Sequence, residues 1–259
     1  GLPRFLNECQ YSQIMEEKDW FSTWFDSPYY HILYAKRDEN EAAKFIASLQ
    51  QNLNLASGSR VLDAACGKGR HAITLSQLGF SVDAFDLSPA NIEAAQVFES
   101  PDLLFFVHDI RESLPLQNEY DAIFNFFTSF GYFDNRMDNQ KAFDTFAGGL
   151  KKGGILVLDF FNPTYVLSNL VSSETVDRQG ISFQIKRWSD AGYLYKSIDF
   201  TDRETTYSFV EKVELVSKND FLSYAAQAGL QLVDFKGSYS LTSFDEINSP
   251  RMIFIWSKN

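Results

Sequence analysis

Basic residues are scarce in this chain: 23 Lys and Arg stand against 34 Asp and Glu, a formal net charge of -11. A surface of that sign repels phosphate backbones and no local Lys/Arg cluster offsets it, which argues against nucleic acid as a partner. Cysteine is nearly absent, and Cys9 and Cys66 do not make a disulfide framework. No apolar run approaches the length of a membrane span, and the first thirty residues lack the basic-then-apolar order of a secretory leader. The expected location is cytoplasmic, without a membrane partner. Histidine is limited to His31, His71 and His108, which leaves little choice of general base. Internal repeats and low-complexity tracts are also missing. What remains, 259 residues of which 45% are hydrophobic, is enough to bury a full core in one elaborated domain.

One junction carries most of the information. The apolar segment Arg60-Val61-Leu62 ends in Asp63, and Ala-Ala-Cys-Gly-Lys-Gly follows at once. Gly67-Lys68-Gly69-Arg70-His71-Ala72 fits the pattern G-x-G-x-x-G/A, in which backbone amides and a helix N-terminus receive a pyrophosphate. Asp63 argues against that ligand. An ionised carboxylate in a half-buried crevice repels a doubly anionic pyrophosphate and attracts an ammonium or a sulfonium. The loop therefore reads as a site for a cationic nucleoside. Phe80 to Asp86 reads as a strand ending in an acid about twenty residues past the glycines, where a carboxylate accepts from vicinal ribose hydroxyls. A third strand, Leu103 to Val107, runs into His108-Asp109-Ile110, and Asp109 can accept an exocyclic amine of adenine.

These residues, with Tyr-Asp-Ala-Ile-Phe-Asn-Phe-Phe at 120–127 and Lys-Gly-Gly-Ile-Leu-Val-Leu-Asp at 152–159, resemble the class I S-adenosylmethionine-dependent methyltransferases over roughly residues 61–161. The resemblance implies S-adenosyl-L-methionine as cofactor and S-adenosyl-L-homocysteine as product. It implies cofactor contacts from Asp63, Ala65, Cys66, Gly67 and Gly69 in the turn, from Asp86 with Leu87, from Asp109 with Ile110, and from Asn125. One departure stands out: Ala65 occupies the first of three positions that are often glycine, which is acceptable if its φ stays negative. Arg70, at the start of the next helix, is a candidate for the methionine carboxylate, and Tyr34 is a similar candidate from the N-terminal side.

Alternating strands and helices predict an α/β fold, a doubly wound Rossmann-like seven-stranded sheet with an N-terminal helical cap and an inserted antiparallel β meander. The boundaries read as a cap over 1–55, a core over 56–162 and 217–259, and a substrate lid over 163–216 containing three strands. Ser27-Pro28 opens a helix, and Asp38 with Glu41 forms a capping-box pattern before the stripe Ala42, Phe45, Ile46, Leu49 and Leu53. Lys151-Lys152-Gly153-Gly154 reads as a stop before a strand from Ile155.

Aromatic residues crowd the cap, from Trp20 and Phe21 to Tyr34, and the stretch from Phe124 to Phe133, at the end of a fourth strand that opens at Tyr120 and in the loop after it. As a group at a sheet edge they suit a dry chamber for a cationic centre, and Tyr30, Phe127, Tyr132 and Phe133 are the candidate substrate contacts. Asn125-Phe126-Phe127-Thr128 does not resemble the Pro-Pro-aromatic motif of enzymes that methylate base nitrogens, so a small molecule is the expected acceptor, through N or O. His31 is the candidate base for an acceptor that must lose a proton. His71 reads as packing or solvent-facing, and His108 as a wall of the adenine pocket. Asp159 with Asn162 is too small an oxygen set for a metal and reads as capping of the next helix. A non-catalytic S-adenosylmethionine-binding protein and a nicotinamide-dependent oxidoreductase are the alternatives.

Overall fold

The computed structural model describes residues 24–34, 39–133 and 135–259, with side chains from residue 44 onward in the second stretch. Two compact units share the chain: residues 39–168 with 216–259 form the larger, and residues 24–34 with 169–215 the smaller. Trp20, Phe21, Asp38 and the capping-box pattern lie outside the described residues or side chains.

The first helix, α1 (Pro28–Leu33), belongs to the smaller unit. Ser27 caps it by accepting the Tyr29 N–H, and Pro28 sits in the first turn, where a missing N–H costs nothing. α2 (Glu39–Leu53) opens the larger unit. Its stripe of Phe45, Ile46 and Leu49 is buried in one cluster with Val61, Ala72 and Phe124. The stretch 1–55, grouped by sequence as one cap, therefore divides, because the stripe of α2 buries itself against the core of the sheet.

The alternation continues as β1 (Arg60–Ala64), α3 (Arg70–Gln77), β2 (Ser81–Asp86), α4 (Pro89–Gln96), β3 (Leu103–Val107), β4 (Tyr120–Asn125), α5 (Arg136–Gly149), β5 (Leu150–Phe161) and α6 (Pro163–Ser168). Strands β6 (Ser173–Arg178), β7 (Ile181–Asp190), β8 (Tyr193–Asp202) and β9 (Thr205–Glu214) follow, then α7 (Lys218–Gln227), β10 (Leu230–Lys236) and β11 (Arg251–Lys258). The larger unit holds one seven-stranded sheet in the order β10-β11-β5-β4-β1-β2-β3. β3, β2, β1, β4 and β5 run parallel, and β11 is antiparallel to both neighbours. Strand order reverses between β1 and β4, and ligands of open parallel sheets lie beyond the strand C-termini at that point. β5 starts earlier than expected. Lys151 to Gly154 stays in the strand through a register shift against β4 between Tyr120 and Ala122, and Gly153 takes the left-handed conformation such an irregularity needs (φ +77°).

The meander has four strands rather than three, in the order β6-β7-β8-β9. Its first strand, Ser-Glu-Thr-Val-Asp-Arg, is a polar edge held by cross-strand pairs such as Thr175 with Gln184 (2.8 Å) and Arg187 with Glu174, which leave little hydrophobic signal to read. On β8 and β9 the rings of Phe200, Tyr207 and Phe209 receive Tyr29 and Trp24. No helix among the described residues is long and apolar enough to cross a membrane.

Candidate active site

The turn after β1 is built from left-handed residues. Ala65, Gly67 and Gly69 have φ of +61°, +57° and +81°. The condition set for alanine is therefore not met: Ala65 holds a conformation that costs a non-glycine residue roughly 1–2 kcal/mol. Gly69 is also required sterically, since a Cβ there would lie 2.5 Å from the buried ring of Phe105 on β3. The turn is pinned from below by the Cys66 N–H donating to the Phe85 carbonyl (2.8 Å). Cys66 itself is free and buried, and burial pushes its thiol well above the ordinary value, so it is packing rather than a nucleophile.

Asp63 sits one residue before the end of β1, 1% exposed. Burial raises its pKa to about 7, with the Asp86 charge adding to the rise, while the Ala72 main-chain N–H and the Arg70 charge oppose it. From sequence alone this carboxyl is expected to be ionised. Burial makes it a group near the midpoint of its titration at neutral pH, one that a cation would ionise fully. Its Oδ2 has no hydrogen-bond partner among the described residues, nor has Oδ1 of Asn125, which lies at the end of β4 and donates through Nδ2 to the Ala64 and Ser129 carbonyls. Orphaned buried acceptors of this kind call for a donor from beyond the described residues. An ammonium fits them and a pyrophosphate does not.

β2 ends on Asp86, and parallel β3 is followed two residues on by Asp109, so the three acids share one edge of the sheet. Asp86 already has protein donors: Oδ2 accepts the Gly67 N–H (2.8 Å) and Oδ1 the Ser88 N–H (3.0 Å). It thus shapes the glycine turn as well as facing the edge. Asp109 is clamped by Arg111, whose Nε donates to both carboxylate oxygens and whose Nη2 donates to Oδ2 (2.6 Å). Burial acts to raise the Asp109 pKa, but the Arg111 side-chain and main-chain hydrogen bonds and its charge outweigh it and hold the group below the ordinary value. Arg111 was missed by sequence reasoning, although a basic residue two positions after a strand-end acid was the available signal.

The turn after β4 is left-handed without glycine: φ is +57° at Phe127 and +62° at Thr128. Asp159, fully buried on β5, holds both residues. Its Oδ2 accepts the Phe127 N–H (2.9 Å) and the Tyr239 hydroxyl (3.0 Å), and its carbonyl accepts the Thr128 N–H (3.0 Å). Arg251 on β11 donates from Nε to Asp159 Oδ1 (2.7 Å) and from Nη2 to the Thr128 hydroxyl (3.0 Å). Asp159 is thus no helix cap, although Asn162 is one, accepting the Thr164 N–H. Asp83, three residues before Asp86, is bound by Arg60 and by the Tyr120 hydroxyl (2.9 Å).

The other candidates divide between the units. Phe127 and Tyr132 stay in the turn after β4, with the Tyr132 hydroxyl on the Thr128 carbonyl (2.6 Å). Phe133 lies under the Arg111 guanidinium (4.9 Å), which sets it beside Asp109. Leu87 and Ile110 are half-buried next to their acids. His71 is buried and stacked on Phe127, and His108 packs edge-on against Phe85 with Nε2 3.0 Å from the Glu112 carbonyl. Tyr30, His31 and Tyr34 belong to the smaller unit. There Tyr30 meets His31 edge-on, and the Tyr34 hydroxyl donates to Glu211 (2.6 Å) and accepts from Lys196.

Residues 61–154 match a family described as a methyltransferase domain. A glycine/sarcosine N-methyltransferase of Aphanothece halophytica is 33% identical over 140 residues, 52% of this chain and 51% of that one. A dTDP-3-amino-3,4,6-trideoxy-alpha-D-glucopyranose N,N-dimethyltransferase of Streptomyces venezuelae is 27% identical over 154 residues, 58% of this chain and 64% of the relative. The chain spans between about half and just under two thirds of the length of these curated relatives. The crystal structure of a S-adenosylmethionine-dependent methyltransferase from Clostridium acetobutylicum shares the fold, with a TM-score of 0.75 over 96% of this chain and 99% of that one at 20% identity. The glycine turn, the three strand-end acids and the methyltransferase-domain match over residues 61–154 together support a class I S-adenosylmethionine-dependent methyltransferase.

Proposed function

We propose that the protein transfers a methyl group from S-adenosylmethionine to a nitrogen or oxygen of a small molecule. The observation that carries this reading is the buried Asp63 carboxylate oxygen that lacks a partner among the described residues, beside a glycine turn and ahead of Asp86 and Asp109 along one sheet edge. Asp63 would hold the ammonium, Asp86 the ribose hydroxyls, and Asp109 the adenine amine, with Ala65, Gly67 and Gly69 letting the backbone approach. When bound, the cofactor supplies a methyl on sulfonium, already activated for in-line displacement. The chain's own residues then have three tasks: to orient, to exclude water and, for an acceptor that carries a proton, to remove it. Phe127 and Tyr132 after β4 are suited to the second task, and His31 is the candidate for the third.

A small acceptor is supported by the net charge of -11, unsuited to nucleic acid, and by relatives whose names specify glycine, sarcosine and an amino sugar. These names favour a nitrogen acceptor without choosing the molecule. A cytoplasmic place of action belongs to the same proposal, supported by a chain with only two cysteines. The test is transfer of label from methyl-labelled S-adenosylmethionine to an extract of small metabolites, beside calorimetric titration with S-adenosylhomocysteine and with NAD. Binding of S-adenosylhomocysteine without transfer to any acceptor would favour a non-catalytic binding protein. Binding of NAD alone would overturn the family's chemistry in this chain.

A further inference from the structure

Arg70 opens α3 at the end of the glycine turn, so it and Asp63 flank the same loop with opposite charges. The amino-acid end of S-adenosylmethionine is itself a zwitterion, and an acid and a guanidinium spaced by one turn complement it. The Arg70 guanidinium lies 5.5 Å from the centre of the Phe127 ring, and its Nη2 is 3.2 Å from His71 Nε2. The His71 ring is parallel to that of Phe127 within 4°, at 4.7 Å, and Tyr239 closes on Phe127 at 5.1 Å. The Phe127 ring is therefore a shelf for the start of α3.

Nothing intrinsic to Phe127 or Thr128 favours the left-handed backbone that presents this shelf. The conformation is imposed by Asp159, which takes the Phe127 and Thr128 N–H groups, and Asp159 is in turn held by Tyr239 and Arg251. Arg251 also lies over the Tyr239 ring (5.4 Å) and ties off the Thr128 hydroxyl, so every member of the set has two ties to the others. Backbone in sparsely populated regions persists only where surrounding contacts over-determine it, and such places concentrate at ligand sites.

We propose that Asp159, Tyr239 and Arg251 are positioning residues which, through the Phe127 ring, aim Arg70 at the carboxylate of the cofactor's methionine moiety. The proposal rests on the methyltransferase reading, with Arg70 as the candidate for the carboxylate, and adds to it the device that holds Arg70 in place. The C-terminal strand β11 acquires by this route a say in how the first helix of the sheet receives its ligand.

The experiment compares two probes by calorimetry: S-adenosylhomocysteine and 5′-methylthioadenosine, a nucleoside thioether without the amino-acid part. The wild-type protein should bind the former more tightly. Arg70→Gln should weaken S-adenosylhomocysteine about tenfold and change 5′-methylthioadenosine less than about twofold, the loss of one charge-assisted contact. Phe127→Leu, which keeps bulk and removes the aromatic face, and Asp159→Asn should each weaken S-adenosylhomocysteine about three- to tenfold with the same selectivity. In an Arg70→Gln background, Phe127→Leu should cost nothing further, because the two act on one contact. Arg251→Lys, which keeps a cation on Asp159 and releases Thr128, gives the same reading where Asp159→Asn does not fold. Equal losses for both probes, or additive losses in the double variant, would overturn the positioning role while leaving the methyltransferase reading intact. A wild-type protein that binds neither probe sinks both.

Discussion

Two turns at the same sheet edge solve the same backbone problem by opposite means. The turn after β1 reaches left-handed φ mainly with Gly67 and Gly69, residues for which it carries no steric penalty, while the turn after β4 reaches it with Phe127 and Thr128. The first is nearly self-sufficient and needs only Asp86 on the Gly67 N–H and the Phe85 carbonyl on the Cys66 N–H. The second exists because Asp159, Arg251 and Tyr239 hold it from β5, β11 and the loop before β11. Glycine buys freedom of approach to a ligand, whereas a held phenylalanine gives a rigid aromatic surface. The pair teaches that one sheet can present both.

The sharpest way to break the comparison is to remove the support of the second turn. Asp159→Ala leaves Arg251 half-compensated and the Phe127 N–H and Tyr239 hydroxyl without their acceptor, so unfolding free energy should fall by about 3–5 kcal/mol in denaturant titration. A loss under about 1 kcal/mol would mean the turn holds itself. Next in size is Asp86→Ala, which removes the Gly67 pin together with the proposed ribose acceptor. Affinity for S-adenosylhomocysteine should fall at least about tenfold, and up to about a hundredfold, by calorimetry. Asp83→Ala should do the reverse. It leaves Arg60 and the Tyr120 hydroxyl without their acid, so it should lower Tm yet keep affinity within about twofold. Similar affinity losses in both variants would remove Asp86 from the ribose.

A smaller effect separates the turns by pH. The Asp63 pKa is raised from 3.8 to about 7 in the folded protein, so its contribution to stability is whole below the lower value and lost as pH rises through the upper one. Asp63→Asn should therefore flatten part of the decline in Tm across that window. The proposed ammonium contact needs Asp63 ionised, so S-adenosylhomocysteine affinity should rise about tenfold from pH 6 to pH 8 in wild type, with proton release, and much less in the variant. Equal pH slopes in the two proteins would place the ammonium elsewhere. The smallest effect is Ala65→Gly, expected to raise stability by about 0.5–1 kcal/mol by relieving a left-handed alanine. Destabilisation by the same amount would show Ala65 is not strained.

The contrast also explains what could be read from sequence. Glycines and strand-end acids are local signals, so β1 to α3, the ends of β2 and β3 and the doubly wound alternation were legible. Phe127 and Thr128 carry no mark of φ > 0, because what enforces it lies more than thirty residues away in Asp159 and farther still in Arg251. Ala65 misled for the complementary reason: alanine is compatible with most turns, and only the packed loop reveals which conformation it took. The polar edge β6 and the continuation of β5 through Lys151 to Gly154 were hidden by residues that discourage strands in isolation and are held there by pairing.

The tie between Tyr34 and Glu211 spans 177 positions of sequence, and that between Trp24 and Glu211 spans 187. A ribosome making this chain would release α1 long before β8 and β9 exist to receive it. The aromatic rings of that helix must then wait, exposed, while the first five strands of the large sheet are made. That sheet is equally incomplete until β11 slides between β5 and β10. Each unit is closed by a segment made after the other has begun, so neither can finish as an independent early product, and assembly of the large sheet should wait until β11 has been made.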